Sequence, residues 1–280
     1  MIELKGVSFR YAGGEKLALS GIGMEIPDGD FVGVTGPSGA GKTTLTHVVS
    51  GAVPHHFRGD FYGVAAIDGE DTVESSPEKL SRKVGSVFQD VEAQFVAETV
   101  EEEILFGLLN YGLKGAAVEE RLSDALVRIG ISALRERRIE SLSGGQKQKV
   151  AIAATLALSP KILVLDEPTG ELDPQSSREI FEIIKELNEC EGVTVIVVEQ
   201  KIGLLSAYAK RLAILDGGKL VRFAPVREAL SDPDELTKIG VHVPRIVSLA
   251  GELQRRGLYE GSAPVNMREA AEMVFAARGR

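Results

Sequence analysis

The chain has 280 residues with 32 lysines and arginines against 41 aspartates and glutamates, a net charge of −9 and a pI near 5.2. That length allows one large domain or two smaller ones around a substantial core, and the acidic balance argues against a nucleic-acid-binding face. Cys190 stands alone, so no intramolecular disulfide can form. The four histidines (His47, His55, His56 and His242) lack metal-site spacing.

The opening "MIELKGVSF" is charged and strand-like rather than a leader, and apolar runs such as "VTVIVV" fall far short of the ~20 residues of a membrane span. The expectation is a soluble cytoplasmic chain that meets a membrane only through a partner. "IELKGVSFRY" alternates as an edge strand would, and "DFVGVTG" reads as a buried strand that ends in glycine. A helix should follow from Gly41 to about Gly51. Thr99 and Glu102 have capping-box spacing, and Val100, Ile104, Leu105, Leu108 and Leu109 fall on one face of the helix they start. A second amphipathic helix carries Val118, Leu122, Ala125, Leu126 and Ile129, and Gly130 stops it. Residues from about 95 to 150 thus form a helical insertion in an α/β pattern.

"KILVLDE" and "VTVIVVE" are continuous apolar runs, as expected for central parallel strands covered on both faces. The helix between them, "PQSSREIFEIIKELNE", turns Ile180, Ile183, Ile184 and Leu187 inward, and "RLAILDGGKLVRF" is a hairpin turning at Asp216-Gly217-Gly218. A boundary is expected at Pro225 to Pro233, dividing a domain at 1–226 from an extension at 227–280. That extension should hold two short helices. One has Ile246, Leu249, Ala250 and Leu253 on its inner face. The other is capped by Asn266 with Glu269 following, and carries Ala270, Met273, Val274 and Ala277.

"GPSGAGKTT" fits G-x-x-x-x-G-K-[ST] at Gly36, Gly41, Lys42 and Thr43, between a strand and a helix. Glycines let backbone N–H groups turn around an anion, the helix amino end adds positive charge, Lys42 can reach phosphate oxygens and the Thr43 hydroxyl can ligate Mg²⁺. "ILVLDEP" supplies the matching carboxylates, with Asp166 placed for Mg²⁺ and Glu167 for the attacking water.

Two further stretches give this phosphate site a family likeness. "LSGGQKQKVAIAATLAL", with Leu142, Ser143, Gly144, Gly145 and Gln146, resembles the signature of ATP-binding-cassette (ABC) ATPases, and the match extends over roughly Met1 to Val226. The resemblance implies a P-loop ABC fold: a mostly parallel core sheet, an antiparallel β subdomain, a helical subdomain and a small carboxyl-terminal extension. It implies ATP and Mg²⁺ as ligands, held by Gly36, Pro37, Ser38, Gly39, Ala40, Gly41, Lys42, Thr43 and Thr44. Tyr11 stands where an aromatic stacks on adenine. Gln89 in "VGSVFQD" stands where a glutamine touches metal and water, and Asp173 in "GELDP" where a loop crosses a dimer. Asp173 before Pro174 is equally a helix cap. Ser143 to Gln146 would face the nucleotide of a second subunit.

"VFQDVEAQFVAETVEEEILFGLLNYGL" and "VPRIVSLAGELQRRGL" resemble ATPases of energy-coupling-factor (ECF) importers for vitamins or transition-metal ions, although Asp90-Val91-Glu92-Ala93-Gln94 departs from that group's N-P-x-x-Q. The implied partners are a second ATPase subunit (a heterodimer favoured, a homodimer possible), a membrane coupling protein docking near Gln89 to Gly107 at the cytoplasmic face and, indirectly, a substrate-binding membrane subunit. No nucleic acid is implied. Another ABC importer is the next reading, and a soluble non-transport ABC ATPase the third. The interval from Thr43 to Leu142 lacks the heptads of chromosome-maintenance members. Gln200 occupies the place of the family's switch histidine. It can donate a hydrogen bond but cannot become cationic, so catalysis by Glu167, Lys42 and Gln200 should be weakened, in a chain suited to an asymmetric heterodimer.

Overall fold

The computed structural model describes residues 1–170 and 172–278. Ten strands divide between two sheets. Strands β1 (Ile2–Tyr11), β2 (Leu19–Ile26), β4 (Gly59–Ile67) and β5 (Glu70–Asp71) form an antiparallel sheet in the order β2-β1-β4-β5. β1 is therefore an inner strand: its alternation reports one buried face, but both of its backbone edges are paired. Strands β3 (Phe31–Thr35), β6 (Val84–Val87), β7 (Ile162–Asp166), β8 (Thr194–Val198), β9 (Arg211–Asp216) and β10 (Lys219–Pro225) form the second sheet in the order β10-β9-β3-β8-β7-β6. All its neighbours run parallel except the β9–β10 hairpin, which turns through Gly217 and Gly218, both at positive φ.

Side-chain alternation on the parallel sheet separates two cores. Val32, Val34, Val164, Ile196 and Val198 pack toward the antiparallel sheet, over Leu45, Val48 and Val49 of the helix Lys42–Val49. Leu163, Leu165, Val195 and Val197 pack the opposite way, against the helices Val100–Asn110, Ala116–Ile129, Gly144–Ala157 and Pro174–Glu191. β3, β7 and β8 are buried at every position, which explains their unbroken apolar sequences.

The helical insertion forms with its expected caps at Thr99 and Gly130. Ile180, Ile184 and Leu187 are buried and Ile183 partly so. Leu109 is 57% exposed, because the inner stripe of its helix is Val100, Ile104 and Leu108. Beyond β10 the chain continues on the same core through Val226, Ala229, Leu236 and Val241. The helix Arg245–Arg255 buries Val247 and Ala250 and leaves Leu249 43% exposed, a rotation of about one position from the sequence-derived face. Asn266 and Glu269 cap the helix Met267–Arg278, which buries Ala270 and Met273; the side chain of Ala277 lies outside the described residues. Among the described residues no helix is long and apolar enough to cross a membrane.

Candidate functional site

β3, β8 and β7 end in register, Val34 beside Val198 and Val198 beside Asp166. The segments leaving their carboxyl ends converge at one edge of the sheet, where parallel α/β folds place ligands. Gly36 and Gly41 sit at φ 150° and 97°. A Cβ on them would lie 2.1 Å from the Leu215 carbonyl oxygen and 2.5 Å from that of Ala18, so the loop is closed against side chains there. Ser38, Gly39 and Thr43 are exposed at its mouth, while Ala40, Lys42 and Thr44 are buried. The Lys42 ammonium donates to the carbonyls of Gly36 (2.9 Å) and Pro37 (3.0 Å), closing the loop on its own backbone.

Asp166 is 2% exposed. Its Oδ2 faces the Thr46 hydroxyl at 3.5 Å. Its Oδ1 is buried without a partner. Burial raises the pKa of this carboxyl above the ordinary aspartate value; Thr43 opposes that, Glu167 adds to it, and Lys42 and Thr46 oppose it. An unsatisfied anionic oxygen beside a hydroxyl suits a hard divalent cation.

Glu167 adopts a left-handed backbone, φ 50°, held by its N–H donating to the Val198 carbonyl at 2.9 Å. Its two oxygens are each taken by an amide. Gln200 Nε2 donates to Oε1 at 2.7 Å, and Gln89 Nε2 to Oε2 at 3.2 Å. Residues distant in sequence thus meet on one carboxylate, as their assignment to one site requires. Gln89 bonds Glu167 here and makes no described hydrogen bond to Thr43 or Asp166.

Ser143 caps the helix Gly144–Ala157 in a capping box with Gln146. The chain's own neighbours of Gly144 and Gly145 are Leu172 and Ser176. Among the described residues no hydrogen bond joins the signature to the phosphate loop. Asp173 caps the helix Pro174–Glu191, accepting from the backbone of Gln175 (2.8 Å) and Ser176 (3.0 Å) and from the Ser176 hydroxyl, and these bonds lower its pKa. A cleft of about 450 Å³ lies between Gln89, Glu167, Gly144, Gln148 and Leu172.

Tyr11 packs its ring edge-on to Phe9, with centroids 4.8 Å apart, and its hydroxyl meets Thr44 Oγ1 (3.1 Å) and His47 Nδ1 (3.3 Å). Tyr11 therefore borders the first turn of the phosphate-loop helix. Thr46, one helical turn after Thr43 in "KTTLT", and Glu199, an acid ending an apolar strand, are site residues the motifs do not mark.

Residues 4–170 match the family model described as ABC transporter. The chain belongs to the ABC transporter family. It is 40% identical over 260 residues to an ABC transporter ATP-binding protein of Pyrococcus horikoshii, covering 93% of this chain and 92% of that one. Another such protein, from Methanosarcina mazei, is 38% identical over 253 residues; these are 90% of this chain but only 44% of the relative, so the chain spans less than half of that longer protein. Among solved structures, cbiO1 from Clostridium perfringens, part of the ABC transporter complex cbiONQ, superposes with a TM-score of 0.75 at 30% identity over 91% of this chain and 98% of that one. A dimeric bacterial ABC transporter cassette superposes at 0.72, also at 30% identity, over 81% of this chain and 99% of its own. This ABC cassette is accordingly an ATP-binding and ATP-hydrolysing transporter subunit.

Proposed function

We propose that this ABC ATPase energises an ECF-type importer for a vitamin or transition-metal ion, bound peripherally at the cytoplasmic face of the membrane. The observation that carries the proposal is a groove of about 530 Å³ beside the Gln89 loop, lined by Phe88, Glu103, Phe106 and Gly107 of the segment that resembles ECF ATPases. That segment is internally braced. Gln94 Oε1 accepts the Phe88 N–H at 2.9 Å, while Glu103 Oε2 accepts the Val96 and Ala97 N–H groups, both at 2.9 Å. Phe106 remains 46% exposed at the rim. An apolar rim on a rigid groove next to a catalytic loop suits the coupling helix of a membrane subunit. The likeness to cbiO1, which belongs to a transporter complex, supports the same reading.

In the proposed cycle the backbone of Gly36 to Thr44 and the Lys42 ammonium hold the ATP phosphates, and Tyr11 borders the base. Thr43 and Asp166 would hold Mg²⁺, whose charge would neutralise phosphate oxygens. Glu167 orients or deprotonates the attacking water, with Gln89 and Gln200 fixing its two oxygens. Ser143 to Gln146 and Asp173 act across a dimer, a reading supported by the likeness to a dimeric ABC transporter cassette. The partner ATPase is proposed to be a different chain, since Gln200 cannot supply a cation. Purification from membranes with identification of the co-purifying chains tests this. A multi-span membrane protein and a second ATPase are expected, whereas recovery only with ribosomes or DNA would overturn the proposal.

A further inference from the structure

Glu199 is 1% exposed, Thr169 is 0% exposed, and no motif role is attached to either. Glu199 Oε1 accepts two backbone N–H groups, from Gln200 at 2.8 Å and Lys201 at 3.1 Å, and its Oε2 accepts the Thr169 hydroxyl. Thr169 is held at its other end as well, because Lys201 Nζ donates to the Thr169 carbonyl at 2.6 Å, and also to the Leu172 carbonyl and the Ser177 hydroxyl, each at 3.2 Å. The Glu199 N–H donates to Val34 O at 3.0 Å, at the end of the strand that enters the phosphate loop. Thr169 follows Glu167 by two residues and Glu199 precedes Gln200. The chain therefore closes a ring: Glu167 to Thr169 along the backbone, Thr169 to Glu199 by hydroxyl, Glu199 to Gln200 along the backbone, and Gln200 back to Glu167 at 2.7 Å.

We infer that Glu199, working with Thr169 and Lys201, is the positioning residue that sets the Gln200 amide against the Glu167 carboxylate and ties both to the loop leading to Asp173. The physical case is one of degrees of freedom. Gln200 is exposed, and a free glutamine side chain at a strand end would sample several rotamers. A buried carboxylate gripping the two successive N–H groups at 200 and 201 fixes the backbone from which that side chain departs. Charged acceptors make the stronger hydrogen bonds, and the burial of Glu199 removes competing water. Lys201 carries the constraint onward, since its ammonium bonds the carbonyl of Leu172, the residue before Asp173, so a displacement of that loop is transmitted to residue 200. The inference rests on the reading of Glu167 and Gln200 as a hydrolytic pair, and its test separates the two.

ATP turnover and nucleotide affinity are measured on the assembled complex carrying this chain as E199A, E199Q, T169V, Q200A or the double variant E199A/Q200A. E199A should lower kcat roughly fivefold while the dissociation constant for ATP stays within about threefold, and E199Q, which keeps an acceptor for both N–H groups, should restore most of the turnover. In the Q200A background E199A should cost less than about twofold, because its effect passes through Gln200. An equal cost of E199A in both backgrounds would overturn the positioning role and leave the hydrolytic pair intact. A Q200A chain with unchanged turnover would overturn both. If E199A does not fold, T169V supplies the same comparison, deleting one hydroxyl from a side chain of similar shape.

Discussion

Replacing Gln200 with histidine should accelerate hydrolysis, and the geometry sets the scale. Gln200 Nε2 reaches Glu167 Oε1 at 2.7 Å, so residue 200 acts within hydrogen-bond range of the proposed base. A neutral donor contributes ~1 kcal/mol net, whereas a donor that carries charge contributes ~1.5–3 kcal/mol. The difference of ~0.5–2 kcal/mol corresponds to a two- to thirtyfold change in rate, since ~1.4 kcal/mol is a factor of ten. Gln200 is exposed and its field is screened by water, which places the expectation near the lower end, around three- to tenfold. The assay is phosphate release by the assembled complex between pH 6 and 9, comparing Q200H with the parent chain. A histidine working as a cation should give a gain that grows as pH falls toward its ordinary pKa of ~6.5, with no such dependence in the parent. Equal rates at every pH, or full activity of a purified homodimer of the parent chain, would refute the reasoning that residue 200 limits this site.

Asp166→Asn should raise the thermal midpoint of the nucleotide-free chain and abolish the further rise produced by ATP with Mg²⁺. The folded-state pKa of Asp166 is raised, chiefly by burial, so its ionised form is a cost to folding that is present above the folded pKa and relieved as pH falls through it. Each kcal/mol of relief corresponds to ~2–4 °C in a scanning-calorimetry or dye-binding melt of a chain this large. Phe106→Glu should leave the ATP turnover of the isolated chain within about twofold while eliminating co-purification with a membrane subunit, because it charges the groove rim without entering the core. The Arg135–Glu119 pair, at 2.6 Å, holds the Glu119 carboxyl down to about 2, chiefly through the Arg135 hydrogen bond and then through that of Ser123. That depressed value supplies stability above the unfolded pKa of 4.5 that disappears as pH falls toward about 2, so acid unfolding of Arg135→Ala should show a shallower pH dependence over this window.

The parts of the molecule legible in the sequence are those written by neighbouring residues. The phosphate loop is nine consecutive residues whose glycine spacing dictates its turns, and the capping boxes at Thr99 and Ser143 span four residues each. β3, β7 and β8 are fully buried and could hardly read otherwise. The misplacements arise where tertiary packing chooses among local options. β1 alternates like any half-buried strand, and only the arrival of β4 on its second edge makes it internal. Leu109 and Leu249 sit at the margins of apolar stripes, where a rotation of one position about the helix axis decides exposure. The arrangement around Glu167 needed the fold itself, because Gln89 is 78 residues away and Gln200 is 33. Glu199 illustrates the same limit: an acid at the end of "VTVIVV" looks like a strand terminus meeting water, yet it is buried against Thr169, 30 residues earlier.

Those long separations explain why Glu167 is held by two amides rather than one. Gln89 belongs to the loop that continues into the braced segment ending at the Phe106 groove. Gln200 belongs to the ring through Glu199, Thr169 and Lys201, which reaches Leu172 and the cap at Asp173. On the proposed reading, the carboxylate has both oxygens correctly placed only when both contacts are in position, and misplacement of either misaligns the water it serves. A catalytic group misplaced by about 1 Å can lose on the order of a hundredfold in rate, far more than the loss of one exposed hydrogen bond. On the same reading, the membrane partner and the second subunit would act on opposite sides of one carboxylate, the first through Gln89 and the second through Gln200.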